Sequence, residues 1–270
     1  MNTVESRILR FNKAQISYSI STEHRLHTIL MLHAAFADRQ MFEQPLNRFK
    51  NDYRVIAIDM PGHGGTVTKG TSVTMDQMPA IVQQLLAQHG IDHCHLIGVS
   101  MGSLVAQAVA DRHPELVRSV TIVGGYSIHK ANKHILKMQR RESMRWLLFI
   151  LFSMKRFRSY VTTVSCRSEQ GQAIFAEAMK RFNRSSFTAM SGMNRLFVPS
   201  DKPVTYPLHI MYGEYDLPIA KDAAVSLHEL EPESKLTMLQ GAGHCANLDE
   251  PLSFNDAAEH FIRSVSMPMS

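Results

Sequence analysis

Gly98-Val99-Ser100-Met101-Gly102 sets one hydroxyl between two glycines. The motif follows a short apolar run, residues 94–99 (CHLIGV), and opens an amphipathic stretch from Met101 to His113. A serine at so sharp a strand-to-helix turn is presented above the sheet edge, and glycine on either flank removes the side chains that would clash there. A serine hydroxyl is a weak nucleophile until a base takes its proton. Among fourteen histidines, position selects His244, in Gly241-Ala242-Gly243-His244, between the last apolar run and the final helix. That places it on the sheet edge that also carries Ser100. His228 and His260 fall on helical stretches and read as surface residues. His93 and His95 flank Cys94, but no further ligands stand at metal spacing, so no metal is expected. The base needs a carboxylate to hold its tautomer. Asp216, in Tyr212-Gly213-Glu214-Tyr215-Asp216, is the first candidate, with Glu214 as its rival two residues nearer the strand. The other place for an acid, after the run at 119–123, offers Gly124, Gly125 and Tyr126.

Elements must hold these groups. ILRF and AQISYSI read as an opening strand pair. Continuous apolar runs at 28–33, 54–59, 94–99 and 119–123 read as buried strands, and PLHIMYG and KLTML as two more. Between them lie helical periods: Thr74 to His89, with a capping-box pair at Thr74 and Gln77, and Met101 to His113, closed by Pro114. A final helix starts near Pro251. Strands alternating with helices predict a parallel sheet covered on both sides.

The rhythm breaks after Gly125. No strand-like alternation returns until about residue 206, and segments such as GQAIFAEAMKRF read as helices. Six of the 17 Met, seven of the 13 Phe and the only Trp lie between residues 125 and 203. So do 15 Lys/Arg against 4 Asp/Glu, a net of +11; the remainder, with 14 and 20, carries −6, and the two sum to the chain's +5. The chain is an acidic body with a basic insert, which points to a boundary and a partner.

The 270 residues, 44% hydrophobic and 20% charged, have ordinary globular usage and exclude disordered and fibrous classes. No apolar run approaches the ~20 residues of a membrane span. The three cysteines, Cys94, Cys166 and Cys245, form no framework, and the N-terminal residues lack the apolar core of a signal peptide, so a cytoplasmic location is expected.

Five segments in this order, LHAAF at 32–36, Asp59-Met60-Pro61-Gly62-His63-Gly64, GVSMG at 98–102, GEYD at 213–216 and GAGH at 241–244, resemble the α/β-hydrolase fold superfamily. The likeness covers nearly the whole chain and is to the branch with a serine nucleophile and a helical cap. It implies an α/β core of 1–124 and 204–270, with a mostly parallel eight-stranded sheet, and a helical cap at 125–203. It also implies a triad of Ser100, Asp216 and His244. The oxyanion hole would be made by the N–H groups of Met101 and Ala35, although Ala34 stands where the family pattern His-Gly-x has glycine. His33 and His63 read as loop anchors. Serine at the elbow excludes the alkyl-ester chemistry of the aspartate-bearing branches, and no phosphate-binding glycine loop is present. No cofactor is implied. Phe36, Met144, Trp146 and Phe149 are candidates to line an apolar acyl pocket. The reaction implied is hydrolysis of short or medium acyl esters. Lactone opening, C–C bond hydrolysis, perhydrolysis and a non-catalytic receptor remain as alternatives. The implied partner is a small-molecule ester and not nucleic acid, in a monomer or dimer. The basic segment reads either as a solvated helical surface or as a weak contact for anionic membranes.

Overall fold

The computed structural model describes residues 3–130 and 153–266. Eight strands form one sheet: β1 (Val4–Phe11), β2 (Ala14–Ser21), β3 (Thr28–Leu32), β4 (Arg54–Ile58), β5 (Cys94–Val99), β6 (Val117–Val123), β7 (Leu208–Gly213) and β8 (Lys235–Leu239). Their spatial order is β1-β2-β4-β3-β5-β6-β7-β8. β2 runs antiparallel to both β1 and β4, and every other pairing is parallel.

The continuous apolar runs follow from burial on two faces. Leu30, Leu32, Ile56, Ile58, Leu96 and Ile122 enter one core with Val82, Leu85, Val105 and Leu227. Their neighbours Ile29, Met31, Val55, Ala57, Ile97 and Val123 enter the other with Phe49, Phe254 and Ile262. The first core is closed by α2 (Met78–Gln88), α3 (Met101–Arg112) and, further along the chain, the helix Pro218–Leu230; the second by α1 (Glu43–Phe49) and the helix Pro251–Ser266. The stretch read as one helix from Thr74 is split. Thr74 and Gln77 do make a reciprocal capping box, but it opens a short 3-10 turn, Met75–Gln77, and the α-helix begins at Met78 with proline in its first turn. α3 buries every residue from Met101 to Ala110, so it runs through the interior as it leaves Ser100.

Between β6 and β7 the described residues contain no strand. They hold α4 (Met154–Ser165), α5 (Glu169–Arg181) and α6 (Ser186–Ala189). Ser153 caps α4 by accepting from the Arg156 N–H at 3.2 Å, and Ser168 caps α5 by accepting from Gly171 N–H at 3.0 Å. Phe157, Val161, Phe175, Met179 and Phe182 sink into the second core. Arg181 pairs with Asp38, and Arg195 with Asp76 at 3.1 Å, so the segment is pinned to the body by charge as well. Met144, Trp146 and Phe149 lie outside the described residues. The chain continues with α7 (Pro218–Leu230), α8 (Ala246–Asp249) and α9 (Pro251–Ser266). Among the described residues no helix is long and apolar enough to cross a membrane.

Candidate active site

Ser100 joins β5 to α3 with φ 52° and ψ −113°, a left-handed conformation that costs a residue with a Cβ of order 1–3 kcal/mol. Ser100 N–H donates to Val123 O at 2.7 Å, and Ser103 N–H to Ser100 O at 2.9 Å, which holds the strained turn in place. The flanking glycines are required by space. A Cβ on Gly98 would stand 2.3 Å from Gly102 O, and one on Gly102 2.1 Å from Leu32 O.

The turn aims Ser100 Oγ at His244, whose Nε2 lies 2.8 Å away. On the other side of the ring, His244 Nδ1 is 2.8 Å from Asp216 Oδ1. Asp216 is 4% exposed, and the same Oδ1 accepts from Leu217 N–H at 2.7 Å. Its Oδ2 is buried with no hydrogen-bond partner among the described residues, so the imidazole is the group that its charge meets. In the neutral ring, Nδ1–H donates to Asp216 and Nε2 is free to accept from the serine hydroxyl. Burial pushes the His244 pKa down, but the charge and hydrogen bond of Asp216 outweigh it and leave the ring above its ordinary value.

Glu214 does not join them. Its carboxylate accepts from Gly241 N–H at 3.0 Å, bracing the loop after β8. Tyr215, between the two acids, carries the Arg167 guanidinium 3.8 Å above its ring.

The loop after β3 approaches the same edge. Ala34 N–H faces Met41 Sδ at 3.4 Å, Phe36 N–H donates to His63 Nε2 at 3.1 Å, and Ala37 N–H donates to Ala34 O at 3.2 Å. Among the described residues, the Ala35 amide has no such partner. His33 donates from Nδ1 to Ala34 O at 2.8 Å and accepts Met60 N–H at 3.0 Å. His63 donates from Nδ1 to Pro61 O at 3.0 Å. Burial lowers the pKa of both rings, so both stay neutral and serve as anchors. Phe36 is 3% exposed, with φ 69°, and packs its ring on Phe157, Phe182 and Phe187.

A family model described as α/β-hydrolase fold matches residues 27–147. A carboxylesterase structure from the thaumarchaeon Nitrososphaera gargenis superposes with a TM-score of 0.80 over 96% of this chain and 99% of that one, at 20% identity. The chain has the α/β-hydrolase fold. Among curated relatives it is 22% identical over 245 residues to the dihydrolipoyllysine-residue acetyltransferase component of an acetoin-cleaving system from Cupriavidus necator, covering 84% of this chain and 61% of that protein. It is also 22% identical, over 87% of both chains, to 2-(acetamidomethylene)succinate hydrolase from Mesorhizobium japonicum.

Two residues of this α/β-hydrolase-fold site escape sequence reasoning. Gly124 reads there only as the lack of an acid after β6. Its φ is 59°, and a Cβ on it would stand 2.8 Å from His244 Cε1 and 3.2 Å from Asp216 Oδ2. The glycine keeps open the space that the ring and carboxylate share. Asp249 has no motif of its own, yet it accepts from Gly243 N–H at 2.8 Å, the residue before His244. Among the described residues no group of three or more His, Cys, Asp or Glu could hold a metal ion.

Proposed function

We propose that Ser100, His244 and Asp216 act as nucleophile, base and acid in the hydrolysis of carboxylic esters through an acyl-enzyme. One observation carries the reading: Nε2 and Nδ1 of His244 lie 2.8 Å from the Ser100 hydroxyl and 2.8 Å from Asp216. The hydroxyl proton passes to Nε2 as Oγ attacks the ester carbon. Asp216 stabilises the imidazolium that forms and keeps Nδ1 protonated throughout. The oxyanion takes hydrogen bonds from the Met101 and Ala35 amides, the first at the N-terminus of α3 where the helix dipole favours negative charge. The imidazolium then protonates the leaving alcohol. A water molecule repeats the sequence on the acyl-enzyme and frees the acid.

The segment 125–203 is the cap over this site, with 1–124 and 204–270 as the core. Phe36, the candidate lining residue among the described ones, packs its ring on Phe157, Phe182 and Phe187 of that segment. The carboxylesterase named among the similar proteins supports ester-type substrates, and the apolar content of the segment supports short to medium acyl chains. The deciding experiment pairs hydrolysis of p-nitrophenyl esters of graded chain length with fluorophosphonate labelling. Wild type should turn over the esters and take up the label, and Ser100→Ala should lose both, with kcat lower by up to ~10⁶-fold. Labelling that persists in Ser100→Ala refutes the assignment of the nucleophile.

A further inference from the structure

Besides Glu214 at Gly241, a second carboxylate, that of Asp249, holds the loop that carries His244. Asp249 ends α8 and is 8% exposed. Its Oδ2 accepts from Gly243 N–H at 2.8 Å, its Oδ1 from Ser168 N–H at 2.8 Å, and the Arg167 N–H lies 2.9 Å and 3.0 Å from the two oxygens. Gly243 precedes His244, while Arg167 and Ser168 are the junction between α4 and α5. On the far side of His244, Cys245 N–H donates to Ser165 O at 2.8 Å and joins the same two stretches of chain. The fit is close: a Cβ on Gly243 would stand 3.0 Å from Oδ2, and one on Gly171 2.9 Å from Oδ1. No Lys, Arg or His among the described residues forms an ion pair with this carboxylate. Its charge is met by main-chain N–H groups of the loop and of the start of α5, where the dipole favours an anion.

We infer that Asp249 is a positioning residue: it holds His244 in line with Ser100 and Asp216 and transmits the placement of the α4–α5 junction to the imidazole. The inference rests on the reading of those three residues given above. A carboxylate is needed because both oxygens must accept. An asparagine offers one acceptor oxygen and an NH2 that would confront an N–H, so Asp249→Asn must release either Gly243 or the α4–α5 junction.

The test uses Asp249→Asn and, separately, Gly171→Ala. The second variant keeps the carboxylate but crowds it, together with Ser168 Oγ, which lies 2.8 Å from the added Cβ. The added Cβ has no free room, so a merely structural Asp249 lets Gly171→Ala lower Tm but leaves catalysis unchanged. Positioning instead lowers kcat for a p-nitrophenyl ester by ~10–100-fold, leaves KM within about twofold, and moves the acid limb of the kcat/KM profile to lower pH as His244 loses Asp216. The proton NMR signal of His244 Nδ1–H should shift or broaden in both variants. Should Asp249→Asn fail to fold, Gly171→Ala decides. Unchanged kcat and an unchanged Nδ1–H signal, with only a lower Tm, overturn the inference. A wild type without esterase activity defeats the functional reading instead, and the NMR signal still tests Asp249.

Discussion

Glu214 and Asp216 stand two residues apart on one loop, yet the loop turns between them. Glu214 braces the main chain at Gly241, and Asp216 is buried against the imidazole. Asp216→Asn should therefore lower kcat by roughly 10⁴-fold, because the amide favours the wrong imidazole tautomer. Glu214→Gln keeps an acceptor for Gly241 and should change little. A reversed result would make Glu214 the acid. The pH profile adds a signed check. His244 must be neutral to act as base, so kcat/KM falls as pH drops through its pKa, which Asp216 holds above the ordinary value of 6.5. In Asp216→Asn the raising causes are gone and burial remains, so the limb of the residual activity should move to lower pH. Steady-state rates between pH 5 and 9 test this.

At the level of elements, the loop after β3 is shaped by residues remote in the chain. Phe36 sits at φ 69° beside Ala35, and its ring meets Phe157 at 5.3 Å and Phe182 at 4.9 Å, nearly edge-on. Phe182 also meets Phe187 at 4.9 Å and His63 at 5.2 Å, and His63 accepts the Phe36 N–H. Removing that ring should cost ~3–5 kcal/mol of stability. It should also release the strained Phe36 backbone, so Phe182→Ala should lower kcat more than it raises KM. Thermal unfolding and ester kinetics together check this; loss of stability with kcat intact would separate the cluster from the catalytic proposal. None of it was legible in the sequence. The strands were, because burial on two faces leaves continuous apolar runs at fixed places. That Ser100, Asp216 and His244 meet was legible because each ends or follows such a strand. Gly124, Asp249 and the aromatic cluster depend on which loops meet across the sheet edge, and no local pattern records that. The helix expected from Thr74 failed at its start because a capping box specifies an N-terminus and not the type of its first turn.

The whole molecule divides its charge, net +11 at 125–203 against −6 elsewhere. Of the basic residues on α4, Lys155 and Arg156 are exposed, while Arg158 is spent on Phe182 O at 2.7 Å. The apolar run Trp146 to Phe152 lies outside the described residues. The basic segment is expected to stay solvated and to bind no vesicle at any salt; a membrane contact would instead give weak co-sedimentation with anionic but not neutral vesicles, at about 1 kcal/mol for each basic side chain near the surface. That co-sedimentation would vanish as salt shortens the Debye length below ~8 Å. Binding to neutral vesicles, or binding that salt leaves intact, would contradict an electrostatic contact.

The same body buries neutral histidines far from Ser100. His95 shares Ser119 Oγ at 2.8 Å and Ser266 Oγ at 3.2 Å, tying β5 to β6 and α9, and burial lowers its pKa to about 4. His209 bonds Thr237 Oγ1 at 2.8 Å between β7 and β8, lies against Phe261, and is lowered to about 3 by burial. Each folded ring binds a proton less readily than the unfolded one, whose pKa is near 6.5. The stability they contribute is therefore whole above pH 6.5 and drains away as pH falls towards 4 and then 3. At ~1.4 kcal/mol per unit of pKa difference, the loss on full acidification is roughly 3–4 kcal/mol for His95 and roughly 5 kcal/mol for His209. His95→Gln keeps a hydrogen-bonding side chain but cannot take up the proton. It should lower stability at pH 7 and flatten the slope of stability against pH between 6.5 and 4 by one proton. Denaturant unfolding across that range measures the slope. An unchanged slope in His95→Gln would mean that the ring is not buried neutral between the strands.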